Sequence, residues 1–313
     1  VITFVTLMVL GVIGYIIYML QFRRKDKNYK GQHVLIFGGS AGMGQAVAFR
    51  LAKQGATITV ASRSEEKLKQ TKEECERLNP DCVCDYSVCD ITKLEDIKRT
   101  LNKAFEKKTP TLIINSAGIA HPAFINDLSY ETYQQDMDLN FYGILRIIKE
   151  GKVLIENANI KEDIDFVHIG SICGLIGTIG YTSYVSSKYA AKGLIDTLRL
   201  ECIGTNLHFH YFAPTNVETP GFAIENEHKP KVVRAMEDNL QTISADYAAH
   251  TLLCNLDKYI ITTEPNSELL KVSSSFMNTS TLLELITAPL GVLIVSVYRA
   301  FIERDIISLT RPK

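Results

Sequence analysis

The stretch HVLIFGGSAGMG, His33 to Gly44, sets the tightest limit on how this chain folds. A short apolar run without polar alternation suits a strand buried on both faces, as in a parallel sheet. The glycines that follow at once demand a tight turn, and the residues after them open a helix. Glycines at 38, 39, 42 and 44 let an anion approach backbone N–H groups at the positive end of that helix. The expected contacts are Gly38, Ser40, Ala41, Gly42, Met43 and Gly44. Their spacing differs from the ordinary G-x-G-x-x-G pattern, but the physical purpose is the same.

Beyond this loop, strand-length and helix-length stretches alternate. TITVA from Thr57, CVCDYSVCD from Cys82, TLIINSA from Thr111, DFVHIGS from Asp165, LHFHYFA from Leu207 and YIIT from Tyr259 read as strands. Glu65 to Leu78, Leu94 to Lys107, Tyr130 to Glu156 and Tyr184 to Ile203 read as helices. Such alternation implies an α/β fold, a doubly wound parallel sheet covered on both faces, with ligands at the carboxyl ends of its strands.

Both ends of the chain depart from this globular pattern. Val1 to Leu20 carries no charge and, as a helix, spans about 30 Å, the thickness of a bilayer core. Residues 1–22 are therefore expected to form a transmembrane anchor, followed by a basic linker at 23–30. A cleaved signal peptide is the competing reading, but the run ends in MLQFRRKDK rather than in small residues. Arg23, Arg24, Lys25 and Lys27 belong on the cytoplasmic side, so the remainder is expected to face the cytosol. Residues 31–265 form the expected α/β domain, and 266–313 a membrane-associated or oligomerisation segment. Within the latter, Leu285 to Tyr298 is uncharged but only fourteen residues long and interrupted by Pro289 and Gly291. Spanning, dipping and interfacial arrangements all stay open there. Val1 in the first position leads us to expect that residues precede it.

Lysine and arginine total 34 against 35 acidic residues, a balance that gives no basic surface for nucleic acid. The seven cysteines are an odd number scattered over a long chain, which suits a reducing compartment rather than a disulfide framework. Cys82, Cys84 and Cys89 lack a C-x-x-C pair and read as small buried thiols, so no metal site is expected.

The second strand ends in TVASRSEEK. A site for an unphosphorylated dinucleotide generally places an acid here against the ribose hydroxyls, whereas arginine suits a 2′-phosphate. Arg63 therefore favours NADP(H) over NAD(H). Asp90, closing the third strand, is a candidate for the adenine edge. Asn115, Ala117 and Gly118, from NSAG, are candidates for the cofactor wall.

In YVSSK, Tyr184 and Lys188 stand one helical turn apart and share a face. A free phenol titrates near 10, and positive charge from Lys188 and from an oxidised nicotinamide is expected to lower that value. Ser171, thirteen residues earlier at a strand end, offers a hydroxyl to a carbonyl substrate. Taken singly, each residue has a structural explanation: a pocket cap, a surface charge or a strand-end turn.

Together, GGSAGMG, NSAG, LNFYG, Ser171 and YVSSK resemble the short-chain dehydrogenase/reductase family over residues 31–265. The resemblance implies a Rossmann-type doubly wound sheet and a catalytic tetrad of Asn140, Ser171, Tyr184 and Lys188. Tyr184 would give a proton to the carbonyl oxygen, and Ser171 would orient that oxygen. Lys188 would hold the nicotinamide ribose and tune Tyr184, while Asn140 would support a relaying water. Pro214, Val217 and Thr219 would meet the carboxamide end of the nicotinamide, and a homo-oligomer formed through the Tyr130 and Tyr184 helices is usual. Two departures stand out: Phe37 occupies a position where threonine is common, and Thr215 follows Pro214 where glycine is common.

The run PTNVETPGFAIENEHKP, Pro214 to Pro230, is similar to that of the 3-ketodihydrosphingosine reductases. This narrower resemblance implies NADPH-dependent reduction of a long-chain sphingoid ketone at the endoplasmic reticulum membrane. A cationic amino group beside the ketone calls for a carboxylate, with Glu218, Glu225 and Glu227 as candidates. Steroid, retinol and 3-ketoacyl reductases share the same tetrad and stay open, as does a cofactor-binding scaffold without turnover.

Overall fold

The computed structural model describes residues 28–237 and 241–264, together with Ser267 and Lys271. The expected anchor at 1–22, most of the linker at 23–30 and nearly all of the segment at 266–313 lie outside the described residues. Among the described residues, no helix is long and apolar enough to cross a membrane.

Seven parallel strands form the central sheet: β1 (His33–Phe37), β2 (Thr57–Ser62), β3 (Val83–Val88), β4 (Leu112–Asn115), β5 (Ile164–Ile169), β6 (Leu207–Ala213) and β9 (Ile260–Thr262). Their order is β3-β2-β1-β4-β5-β6-β9, and two short strands, β7 (Val217–Glu218) and β8 (Ile243–Ser244), pair separately. Successive side chains of a strand point to opposite faces, and β1 shows the consequence. Val34 and Ile36 enter one core, while Leu35 and Phe37 enter the other. An unbroken apolar run was needed because both faces of β1 are covered.

Helices α1 (Gly42–Lys53), α2 (Glu65–Leu78) and α9 (Ala245–Cys254) cover the first face. The second is covered by α3 (Leu94–Lys107), α5 (Gly143–Asn157) and α6 (Thr182–Glu201). Three shorter helices, α4 (Tyr130–Met137), α7 (Pro220–His228) and α8 (Lys231–Glu237), lie near the strand ends. The doubly wound fold expected from the sequence is therefore present. The bounds of α2 and α3 coincide with those read from the sequence, since Ser64 caps α2 by accepting from Lys67 N–H. The long helix expected from Tyr130 to Glu156 is instead interrupted by a π-helical turn over Asp138–Tyr142.

The sequence departures at 37 and 215 both have packing explanations. Phe37 is buried in the second core. Thr215 ties its loop to the end of β9, its hydroxyl lying 3.2 Å from Thr263 Oγ1 and 3.1 Å from Glu264 Oε1. The thiols of Cys82 and Cys89 are buried, and burial pushes them up to about 12 and about 11 respectively. They stay protonated at neutral pH and act as small apolar groups.

Candidate active site

The strand order reverses between β1 and β4, so the loops leaving these two strands diverge and open a crevice. Gly38 has φ +79°, and a Cβ there would lie 2.5 Å from Ala117 N. Only glycine lets the loop after β1 touch the turn after β4. The N–H groups of Gly38 and Gly39 both donate to Ala61 O at the end of β2, at 2.7 and 3.3 Å. Ser40 and Ala41 carry the loop into α1, where Gly42, Met43 and Gly44 form the first turn. No side chain caps that helix, and no acidic residue stands in its first turn. Its positive end is therefore left for an external anion, and the loop fits the pyrophosphate of a dinucleotide.

Arg63 is exposed directly after β2, and the hydroxyl of its neighbour Ser62 is buried without a partner. An exposed guanidinium at the end of this strand is a donor suited to a phosphate on the adenosine ribose. Asp90 shapes the turn after β3, its Oδ1 accepting from Thr92 N at 3.0 Å and Thr92 Oγ1 at 2.8 Å. Asn115 is fully buried: its Oδ1 accepts from Ala117 N at 3.2 Å, and its amide lies 3.4 Å from His168 Nδ1. Asn115 thus fixes the shape of the wall, while Ala117 and Gly118 form its surface. On the far side, Pro214 O accepts from Ile172 N at 3.1 Å, Val217 is buried, and Thr219 caps α7 by accepting from Phe222 N at 3.1 Å.

Ser171 follows β5 and is held from behind by a residue that the sequence reading did not single out. The Tyr211 hydroxyl, on β6, accepts from Ser171 N–H and donates to Ser171 O. Ser171 Oγ accepts from Cys173 N at 3.1 Å and neighbours the Tyr184 phenol. The hydroxyl is thereby aimed at the position where a carbonyl oxygen would meet Tyr184.

Lys188 is buried, and its Nζ lies 5.4 Å from the centroid of the Tyr184 ring. Burial pulls this ammonium down to about 8. The phenol moves opposite to the sequence expectation: burial holds Tyr184 well above its ordinary value, and the charge of Glu225 adds to the effect. Desolvation disfavours a phenolate, and the neighbouring Ser171 hydroxyl offsets this only in part. In the protein alone, Tyr184 is therefore protonated at neutral pH, the state required of a proton donor. Gly118 makes room for the lysine, since a Cβ there would lie 3.4 Å from Lys188 Nζ and 3.2 Å from Asn140 Oδ1.

Asn140 sits in the middle of the π-helical turn, a feature common at functional sites. Its Oδ1 accepts from Ile119 N, and its amide donates to Ile119 O and Ser187 Oγ, each at 2.9 Å. Ser187 in turn donates to Tyr184 O at 2.7 Å. Asn140 therefore joins the strand β4 loop to the helix that carries Tyr184 and Lys188. A second tie, also missed in the sequence, is the buried Asp136, which accepts from Ser183 Oγ at 2.6 Å and lies 2.7 Å from His121 Nδ1. Short polar side chains at these spacings carry no periodic signal, so only the fold reveals the pairing.

The three carboxylates expected to face an amino group separate clearly. Glu218 is exposed and accepts from Thr242 Oγ1 at 3.0 Å, and Glu227 is exposed. Glu225 alone is turned inward, accepting from the buried Tyr181 hydroxyl at 2.5 Å.

The family model for the short chain dehydrogenase matches residues 32–230. A 3-ketodihydrosphingosine reductase of Dictyostelium discoideum is 31% identical over 77% of this chain and 76% of its own length. The Bos taurus protein of the same name is 30% identical over 71% of this chain and 68% of its own. Among solved structures, an actinorhodin polyketide ketoreductase crystallised with NADPH superposes with a TM-score of 0.65, at 22% identity, over 72% of this chain and 90% of that one. The chain therefore belongs to the short chain dehydrogenase family, and its class of chemistry is oxidoreduction.

Proposed function

We propose that this protein reduces 3-ketodihydrosphingosine to dihydrosphingosine with NADPH as the electron donor. The observation that carries the substrate is the similarity to reductases of that name across more than two-thirds of both chains. The exposed Arg63 guanidinium supports the phosphorylated cofactor.

The bound cofactor supplies the hydride that reduces the ketone carbon. Ser171 donates a hydrogen bond to the ketone oxygen and fixes it against Tyr184. Tyr184 delivers its proton to that oxygen as negative charge develops there. Lys188 would hold the cofactor ribose and would stabilise the phenolate left behind. Asn140 keeps the loop after β4 and the helix α6 in register, and would support a water that returns a proton to the site. Exposed apolar side chains at Phe124, Ile125 and Ile224 offer surface to a long alkyl chain.

We further infer that the chain is anchored by residues 1–22 in the endoplasmic reticulum membrane, with its catalytic domain in the cytosol. A tethered enzyme meets a bilayer-borne ketone without moving its chain into water, where each methylene costs about 0.8 kcal/mol. Residues 266–313 serve membrane association or self-assembly, and a homo-oligomer forms through helices whose exposed tyrosines include Tyr130, Tyr142 and Tyr189.

The test is NADPH consumption by the detergent-solubilised chain offered 3-ketodihydrosphingosine, a steroid ketone, retinal and a 3-ketoacyl thioester. Selective turnover of the sphingoid ketone is expected. Turnover of another ketone with none of this one would discard the substrate assignment and keep the reductase.

A further inference from the structure

The short segment before α6 and the helices α7 and α8 enclose a set of charged groups with no part in the reaction described above. Tyr181 is buried, its ring centroid 5.9 Å from that of Tyr184. Its hydroxyl donates to Glu225 Oε1 at 2.5 Å. Lys229 is also buried, its Nζ lying 2.6 Å from Glu237 Oε2 and 3.4 Å from Glu225 Oε1. That ammonium rests 4.2 Å from the centroid of the Phe222 ring.

Among the described residues, the charges do not balance. Lys229 is a single cation between two carboxylates, and its short contact is with Glu237. The nearby Arg234 guanidinium bonds the backbone carbonyls of Lys229 and Glu227, each at 3.0 Å, and neither carboxylate. The thiol of Cys173 is pushed up by burial and stays neutral. Glu225 therefore shares one described ammonium with Glu237 and has the longer contact of the two. Its side chain is 19% exposed, so a ligand can reach it. A partly desolvated carboxylate attracts a cation more strongly than one in water, because less solvent screens the pair.

We propose that Glu225, positioned by Tyr181, selects ketones carrying a primary ammonium on the carbon next to the carbonyl. This rests on the proposed reaction, since a ketone oxygen placed between Ser171 and Tyr184 fixes where its neighbouring carbon lies. Tyr181 spans the distance: its ring packs beside Tyr184 and its hydroxyl holds the carboxylate. Lys229 and Glu237 brace the arrangement, while Glu218 and Glu227 are exposed.

The experiment compares two substrates of equal chain length, 3-ketodihydrosphingosine and the same ketone lacking the amino group, with the detergent-solubilised full chain and NADPH. The readout is the ratio of kcat/KM for the amino ketone to that for the amine-free ketone. In Glu225→Gln, which keeps an acceptor for Tyr181 but no charge, that ratio should fall at least about tenfold, the factor given by about 1.4 kcal/mol. Tyr181→Phe should lower it in the same direction by a smaller factor, and Glu225→Asp should restore part of it. Thermal melting confirms that each variant is folded. A ratio unchanged within twofold in folded Glu225→Gln would overturn the assignment of Glu225 while leaving the proposed reaction intact. Wild-type protein idle on the amino ketone but active on another ketone would overturn the reaction and this assignment together.

Discussion

The Tyr211 hydroxyl bonds both backbone polar groups of Ser171, accepting from its N–H at 3.2 Å and donating to its carbonyl at 3.1 Å. The ring is fully buried and fills the space left open at Gly170 and Gly174, where a Cβ would fall within 2.1 Å of a Tyr211 side-chain atom. Tyr211→Phe keeps the ring and removes only the hydroxyl. We expect a stability loss of about 1–3 kcal/mol, since a buried N–H and carbonyl lose a partner. The turnover number should fall while cofactor affinity holds; equal losses of both would show that Tyr211 supports the whole crevice rather than Ser171.

Asn140 satisfies both backbone groups of Ile119 as well as Ser187 from within the π-helical turn. Asn140→Ala removes three hydrogen bonds, of which the one to Ser187 Oγ is buried and the two to the Ile119 backbone are partly buried, and a loss of about 1–3 kcal/mol follows. Chemical denaturation measures it. A loss below about 0.5 kcal/mol would mean that water replaces the amide at little cost.

Lys188 should trade stability for function. Its folded value of about 8 lies below the ordinary 10.5, so the unfolded chain holds this proton more tightly. The resulting penalty is full below pH 8 and fades as pH rises toward 10.5, because stability rises with pH wherever the unfolded state binds more protons. Lys188→Met should therefore melt higher than wild type at pH 7, by up to about 3 kcal/mol. The gap should narrow above pH 8 while activity is lost throughout. A gap that widens with pH would contradict the sign.

Arg63→Ala should raise KM for NADPH about 10- to 100-fold, with a much smaller change for NADH, because only the phosphorylated cofactor loses a charge-assisted contact. Equal changes for both cofactors would assign Arg63 to the surface.

The strands were legible because an apolar run buried on both faces has no rival reading once glycine or another strand signal bounds it. Val34 to Phe37 is the clearest case. Tyr184, Lys188 and Ser171 were legible by spacing, since helical periodicity fixes the first two on one face. The interruption at Asp138–Tyr142 was not, because a π-helical turn keeps helical composition and differs only in one hydrogen-bond step. Tyr211 read as one more residue of an apolar strand, and its role depends on β6 lying beside β5. The direction of the Tyr184 shift was missed for a related reason: a sequence shows the charged neighbour but not the burial that outweighs it.

The central claim is tested most directly with NADPH deuterated at the transferable position of C4. The solubilised wild-type chain should convert 3-ketodihydrosphingosine to dihydrosphingosine carrying one deuterium at C3, read by mass spectrometry, and Tyr184→Phe should lower the rate at least about a hundredfold. Undeuterated product, or a Tyr184→Phe protein as fast as wild type, would contradict the account.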